Sequence, residues 1–196
     1  EAAAGAPIAA SNGRVAWTQS EPAVPAEIRV ADHIRLPGRA VTALNAAIAK
    51  LPLGVTRRVS WRSTDGVTVG GLLLRPALAP ASAPLKTLVL LHGGPYGSRY
   101  ALGFEPVPQV FAAHGYQVFM PNFRSSGGSG TAFKLRERAD WGGQDWRDVM
   151  SGVDSLVRWE LAEPRKLGVY GHSYGGYLSA WAITQTDRFD AAMVSA

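Results

Sequence analysis

The sequence predicts an α/β fold built on a mostly parallel β-sheet, and three observations support this prediction. From residue 87 onward, short runs that suit strands alternate with longer runs that suit helices. Residues 87–91 (TLVLL) form a short apolar run, which is typical of a strand buried on both faces of a parallel sheet. Val149, Val153 and Leu156 recur at spacings of four and three residues, which predicts an amphipathic helix. Strands and helices that alternate in this way are typical of α/β folds.

Composition and charge exclude several classes of function. The chain has 196 residues, of which 46% are hydrophobic and 18% charged, so it can bury the core of a globular domain. The net charge of +5 comes from basic residues scattered along the chain, which argues against a nucleic-acid-binding face. No apolar run reaches about 18 residues, the length of a membrane span. Because cysteine is absent, disulfides, thiol catalysis and cysteine-ligated metals are excluded.

The first part of the chain is predicted to be β-rich. Residues 14–19 (RVAWTQ) and 27–30 (EIRV) suit two short strands, and the prolines between them are expected to break any continuation. Residues 39–55 are interpreted as a connector, with a weakly helical, alanine-rich piece at 41–51. Asp65-Gly66 then separates two alternating apolar runs, which predicts a β-hairpin.

The remaining elements follow the strand–helix rhythm. A helix is expected to stop at Gly115, which is a typical residue just beyond a helix end, and the next strand is expected to end at Pro121. Residues 122–130 (NFRSSGGSG) are predicted to be a flexible loop. The other predicted elements are helix 106–114, strand 116–120, helix 145–161, strand 167–170, helix 174–184 and strand 191–194.

A Gly-x-Ser-x-Gly pattern surrounds Ser173. The pattern alone is weak evidence, since chance gives on the order of 0.2 matches in a chain of this composition. Its context is more specific, because a strand runs directly into Ser173 and a helix starts directly after it. This is the nucleophile elbow, in which Gly171 and Gly175 would remove side chains that collide as strand and helix cross. Ser173 is therefore the candidate nucleophile, and the alternative is a glycine-rich turn with an incidental serine.

A second motif, His92-Gly93-Gly94, directly follows the apolar strand. This is where α/β-hydrolases place the loop that completes the oxyanion hole. We expect the backbone N–H groups of Tyr174 and Gly94 to stabilise the oxyanion, with Gly93 giving the loop its freedom. His92 is interpreted as a residue that shapes the loop rather than as the catalytic base. The alternative is a plain strand-to-loop turn.

Three residues near the predicted long helix are expected to have structural roles. Asp148 is expected to stabilise the helix through its dipole rather than to take part in catalysis. Trp141 and Trp146 are expected to be core or packing residues.

Four motifs in sequence order resemble the prolyl oligopeptidase family of serine peptidases, most closely its acylaminoacyl-peptidase-like branch. They are HGGP at 92–95, PNFR at 121–124 with its Gly/Ser loop, WGGQD at 141–145 leading into DVM at 148–150, and GHSYGGY at 171–177. The resemblance extends to the N-terminal part, where residues 20–32 look like closing strands of that family's β-propeller. It divides the chain into the end of a propeller (1–38), a connector (39–55) and the first half of an α/β-hydrolase domain (56–196).

The resemblance implies a peptidase whose propeller limits access to short peptides. This chemistry needs no metal or cofactor, and the charge pattern and the lengths of the apolar runs predict no nucleic-acid partner and no membrane span. Some branches use a tyrosine hydroxyl as the second oxyanion donor, whereas the corresponding position here is His92. A broad or acylaminoacyl-type specificity is therefore favoured over cleavage after proline.

The catalytic triad departs from the family's pattern. In α/β-hydrolases the order along the chain is Ser, then Asp, then His. Only 23 residues follow Ser173, they contain no histidine, and Asp187 and Asp190 lie too close behind the elbow helix. We expect the triad Asp and His to lie beyond residue 196, the sheet to be incomplete at its C-terminal side, and this fragment alone to be inactive. Two alternatives remain: an α/β-hydrolase esterase without a propeller, or a catalytically silent hydrolase-like module used for binding.

Overall fold

A computed structural model describes residues 3–80, 83–97, 99–136 and 139–196. The N-terminal part forms a small antiparallel sheet in the order β1-β3-β4-β5, with β2 also paired to β3. Its strands are β1 (Ala3–Ala4), β2 (Ile8–Ala9), β3 (Val15–Glu21), β4 (Val24–Ala31) and β5 (Arg39–Ala40). The two predicted strands of this region are confirmed as β3 and β4, although both are longer than expected.

Of the two prolines expected to break the strands, Pro22 lies in the turn between β3 and β4, whereas Pro25 does not break β4, contrary to the prediction. Pro25 lies inside β4, where the pairing shifts register between Gln19↔Glu27 and Glu21↔Val24. This irregularity is a β-bulge, and a bulge is a position at which a strand tolerates a residue without an N–H donor.

The connector contains less helix than predicted. Only a 3₁₀ turn, Ile48–Lys50, forms in the segment 41–51, and none of its residues is buried. Without an apolar face that packs on a neighbour, a short alanine-rich helix is not stable. The Glu27 carboxylate instead accepts hydrogen bonds from the backbone N–H groups of Leu44 (3.1 Å) and Asn45 (2.9 Å).

The larger sheet has six strands in the order β11-β10-β8-β9-β7-β6. Neighbouring pairs β10–β11, β8–β10 and β8–β9 are parallel, whereas β6–β7 and β7–β9 are antiparallel. The strands are β6 (Val55–Arg62), β7 (Thr68–Arg75), β8 (Leu85–Leu91), β9 (Gln117–Asn122), β10 (Ala162–His172) and β11 (Ala191–Ser195). The predicted α/β architecture with a mostly parallel sheet is confirmed, as is the hairpin at Asp65-Gly66.

Helices cover both faces of this sheet. They are α1 (Pro106–Ala113), α2 (Thr131–Lys134), α3 (Gln144–Arg158) and α4 (Tyr174–Gln185). On one face, Val149 of α3 and Leu178 of α4 pack with Val89 of β8. On the other face, Ala112 of α1 packs with Leu90 of β8. Adjacent residues of β8 thus serve opposite cores, which explains its continuous apolar sequence.

Strand β9 continues through Pro121, whereas the sequence predicted its end there. The pairing of β9 with β8 stops at Phe119, and Pro121 pairs only with Gly71 of β7. A proline without an N–H is tolerated at such a position because no second ladder needs it. No helix within the described residues is long and apolar enough to cross a membrane.

Candidate active site

Ser173 occupies a sharp turn between β10 and α4. β10 ends at His172 and α4 begins at Tyr174, so one residue makes the whole reversal. Ser173 has φ 58° and ψ −121°, a conformation that non-glycine residues rarely adopt and that the surrounding structure must impose. The Ser173 N–H donates to the Ser195 carbonyl of β11 (2.9 Å), which fixes the elbow to the neighbouring strand. The residue is solvent-exposed, so the geometry presents its hydroxyl outward at the carboxyl edge of the sheet.

The glycines around Ser173 are required by close backbone approaches. A Cβ atom at Gly171 would collide with the Gly175 carbonyl, and one at Gly175 would collide with the Leu91 carbonyl of β8. A Cβ at Gly176 would collide with the Ser195 carbonyl. The elbow helix can therefore lie this close to the sheet only because these three positions lack side chains.

The loop after β8 lies directly against the nucleophile. β8 and β10 are parallel neighbours, so the segments that follow them emerge at the same edge of the sheet. A Cβ placed on Gly93 would stand 3.3 Å from Ser173 Cβ and 3.7 Å from Ser173 Oγ. The His92-Gly93-Gly94 motif and the elbow, 80 residues apart in the chain, thus form one surface.

Both ring nitrogens of His92 are used within this loop. Nδ1 lies 2.7 Å from the Gly93 carbonyl oxygen, and Nε2 lies 2.7 Å from Ser126 Oγ. Because a carbonyl oxygen only accepts, Nδ1 carries the proton, and Nε2 of the neutral ring accepts from the Ser126 hydroxyl. Burial lowers the pKa of His92, which favours this neutral form. The ring is 7% exposed and stacks on Phe123 with centroids 4.3 Å apart, so it supports the loop instead of facing Ser173 as a base.

The segment that follows β9 is packed in its first half, whereas the sequence predicted a flexible loop. Residues 123–126 are buried, and only residues 128–130 are exposed. The Ser126 N–H donates to the Phe123 carbonyl (3.0 Å), and the Gly97 N–H donates to the Ser125 carbonyl (3.2 Å). Residues 123–126 therefore pack behind the His92 loop and form the wall of the site.

Arg124 anchors this wall through two carboxylates. Its Nε and Nη2 donate to the two oxygens of Asp148, at 2.8 and 2.7 Å, and its Nη1 and Nη2 donate to those of Asp65, at 2.9 and 3.1 Å. The Arg124 side chain is 4% exposed and that of Asp148 is fully buried. The bonds to Arg124 lower the pKa of Asp65 to about 2, and the Asp148 carboxylate raises the pKa of Arg124. Asp148 is thus half of a buried ion pair, not simply the helix-dipole residue that the sequence predicted.

A further contact links the elbow helix to α3. The Tyr174 hydroxyl donates to Asp145 Oδ2 at 2.5 Å, and Asp145 Oδ1 accepts from the Trp146 N–H at 2.6 Å. Trp146 lies in the core, as predicted, whereas Trp141 is 57% exposed and contacts the Tyr174 ring edge-on at 5.7 Å. Of the two predicted alternatives, a core or a packing residue, Trp141 is thus a packing residue at the surface.

The other candidate acids and bases do not converge on Ser173. The Asp190 carboxylate accepts from the Leu167 N–H (3.0 Å), five residues before the end of β10, and so lies towards the opposite end of that strand. His172 Nδ1 lies 3.0 Å from Ser195 Oγ. Within the described residues, no group of three or more His, Cys, Asp or Glu side chains is arranged to hold a metal ion.

Comparisons with known proteins find a peptidase family model and several similar peptidases. The prolyl oligopeptidase family model matches residues 102–196. The uncharacterized peptidase YuxL of Bacillus subtilis is 39% identical over 145 residues, which cover 72% of this chain and 22% of that protein. The solved acylaminoacyl peptidase of Pyrococcus horikoshii is 30% identical, with a TM-score of 0.83 over 96% of this chain and 30% of its own. An acylaminoacyl peptidase in complex with Z-Gly-Gly-Phe-chloromethyl ketone is 29% identical, with a TM-score of 0.83 over 95% and 30%. The chain spans about a fifth of the length of the curated relatives it matches.

Proposed function

We propose, since this chain belongs to the prolyl oligopeptidase family, that it carries the nucleophile and oxyanion hole of a serine peptidase that hydrolyses short peptides. The observation that carries this proposal is the strained elbow conformation of Ser173 with the Gly93 backbone directly against it. A serine held in this way, at the carboxyl edge of an α/β sheet, is arranged for acyl transfer.

The proposed reaction proceeds through an acyl-enzyme. Ser173 Oγ attacks the peptide carbonyl carbon while its proton passes to a general base, and the negative charge develops on the carbonyl oxygen. The N–H groups of Tyr174 and Gly94 donate to that oxygen, aided by the positive end of α4. The amine product then leaves with a proton from the base, and water releases the acyl group. His92 is committed to its loop, so we propose that the triad His and Asp come from residues outside this chain.

The proposed assignment includes a division of the chain into three parts. We propose that residues 1–38 end a β-propeller, that 39–55 connect, and that 56–196 begin the hydrolase domain. The small antiparallel sheet, which extends to β5 (Arg39–Ala40), and the six-stranded sheet, which begins at Val55, support this division to within two residues of its boundaries. A propeller in front of the site would restrict access to short peptides.

The substrate is proposed to be of the oligopeptide or acylaminoacyl-peptide type. Support comes from the acylaminoacyl peptidases of similar structure, one of them bound to a compound that contains Gly-Gly-Phe. The presence of His92 in place of an oxyanion tyrosine also favours this type over cleavage after proline.

The test is labelling of the whole protein that contains this chain with a fluorophosphonate serine probe, followed by mapping of the labelled peptide. We expect the label on Ser173, none in Ser173→Ala, and a fall in kcat of about 10⁶-fold for peptide substrates in that variant. Turnover of p-nitrophenyl esters without turnover of N-acetyl peptides would establish an esterase instead. Absence of both label and turnover would establish a catalytically silent module.

A further inference from the structure

We propose that Arg124 is a positioning residue for the oxyanion hole: paired with Asp148, it fixes residues 123–126, which hold His92 and thereby aim the Gly94 N–H towards Ser173. This inference rests on the proposed function. It connects a buried ion pair to a backbone amide through an uninterrupted series of contacts.

The first step is the anchor. Asp148 Oδ2 accepts both from the Arg124 side chain (2.8 Å) and from the Arg124 backbone N–H (2.9 Å). One carboxylate therefore fixes the main chain of the segment as well as the guanidinium. Movement of this segment would leave a buried charge without its partner, which is costly.

The second step runs along the main chain from Arg124 to the two residues that hold His92. Phe123 stacks on one face of the imidazole, with an interplanar angle of 10°. Ser126 bonds its Nε2 edge. Between them Ser125 has φ 83°, a left-handed conformation that a serine keeps only where its surroundings impose it. The anchored segment thus grips the ring by a face and an edge.

The third step is the peptide unit between Gly93 and Gly94. His92 Nδ1–H donates to the Gly93 carbonyl oxygen, and this oxygen belongs to the same planar peptide unit as the Gly94 N–H. In a trans unit the two groups point in opposite directions, so a fixed carbonyl fixes the direction of the N–H. Because the residues on both sides of this unit are glycines, it could otherwise rotate at little cost.

The expected size of the effect follows from the worth of one oxyanion donor, about 10²–10³ in kcat. Ser126→Ala removes the bond to Nε2 but leaves Phe123 stacked, so we expect a partial loss of about 10-fold in kcat, with KM changed by less than about twofold. Ser126→Thr retains the hydroxyl and should restore most of the rate. Ser155→Ala is the matched control, because it likewise removes a buried serine hydroxyl. The Ser155 hydroxyl donates to the Ser151 carbonyl (2.8 Å) within α3 and does not contact His92.

The decisive measurement compares two ligands of the whole protein. Ser173 Oγ adds to the carbonyl carbon of a peptide aldehyde, and the former carbonyl oxygen then occupies the oxyanion hole. The product peptide forms no such adduct. The two variants are Ser126→Ala and Arg124→Lys; lysine keeps the positive charge of Arg124 but lacks the planar guanidinium fork. In both variants we expect the affinity for the aldehyde to fall in parallel with kcat/KM, while the affinity for the product peptide stays within about twofold of the wild type. Ser126→Ala should cause little additional loss when Arg124 is already Lys, since the bond from Ser126 to His92 depends on the segment that Arg124 fixes.

A second readout does not need turnover. ¹⁵N NMR of the His92 ring should show Nδ1–H and a bonded Nε2 in the wild type, and an altered Nε2 signal in both variants. An unchanged His92 signal and aldehyde affinity in Arg124→Lys, or equal loss of aldehyde and product binding, would overturn the inference. A wild-type protein without peptide turnover would overturn the proposed function instead, and the NMR measurement would still decide the role of Arg124.

Discussion

At the scale of single residues, the elbow has no space for a Cβ atom on its helix side. We predict that Gly175→Ala destabilises the protein by on the order of 3 kcal/mol, because the new methyl group would collide with the Leu91 carbonyl, which is held in β8. Urea denaturation of the two proteins measures this difference. Gly70→Ala is the control, since a Cβ there meets nothing closer than 3.9 Å, and it should change the free energy of unfolding by less than about 1 kcal/mol. Equal stability of both variants would contradict the prediction.

The residues that sequence reasoning identified are those whose reasons are local. Ser173 and its glycines can be recognised from a pattern of five consecutive residues. Asp148 and Ser126 do not, because their partners lie 24 and 34 residues away. One signal was available: Asp148 shares a helix face with Gly152 and Leu156, and an acid on a buried face needs a cation.

At the scale of elements, the β6–β7 hairpin is attached to the wall of the site through its turn. Asp65 in that turn bonds Arg124, and its pKa of about 2 lies below the ordinary value of 3.8. A carboxylate with a lowered folded-state pKa adds stability above its unfolded pKa and loses it as pH falls. The contribution of Asp65 should therefore disappear between about pH 5 and pH 2.

We predict that Asp65→Asn lowers the melting temperature at pH 6 and reduces the decline in stability between pH 5 and pH 2. Thermal unfolding across this range in the two proteins measures the effect. Asp154→Asn is the matched control, because Asp154 also pairs with an arginine, Arg188 at 2.6 Å, but with a half-exposed side chain. If both variants show the same acid profile as the wild type, the Asp65–Arg124 pair does not contribute to stability.

Element type could be predicted from the sequence better than element ends. The apolar run of β8 and the spacing in α3 decide strand or helix from side-chain pattern alone. Pro25 and Pro121 were expected to end strands, but whether a proline fits depends on which neighbour pairs at that position, which only the register reveals. The helix predicted at 41–51 does not form, and none of its residues is buried against another element.

At the scale of the whole molecule, Gln109 joins the two sheets. Its side-chain carbonyl accepts from the Gly54 N–H (2.7 Å), and its amide donates to the carbonyls of Pro22 (3.1 Å) and Gly54 (3.2 Å). We predict that Gln109→Leu destabilises the protein by about 1–3 kcal/mol, because these buried groups lose their partner. Limited proteolysis should then cut residues 1–54 faster. Gln185→Leu, at an exposed position, should leave the cleavage rate unchanged.

The edge strand β11 exposes apolar side chains, with Met193 47% and Val194 52% accessible. An uncovered, apolar edge is a template for pairing with another chain. We predict that the isolated 196-residue chain self-associates in light scattering, and that Val194→Lys reduces this. Val110→Lys adds the same charge at an exposed apolar position on α1 and should not. An isolated chain that stays monomeric at high concentration would contradict the prediction.

The order of strands in the large sheet also determines when the two halves of the site can meet during synthesis. Val89 pairs with Val169, 80 residues later, although β8 is complete long before β10 leaves the ribosome. At about 5–20 residues per second, the loop of His92 waits roughly 4–16 s for the strand that carries the serine. During this interval the nascent chain contains the His92 loop but not yet the strand that positions Ser173. The His92 loop and the elbow that carries Ser173 therefore come together only when β10 docks beside β8.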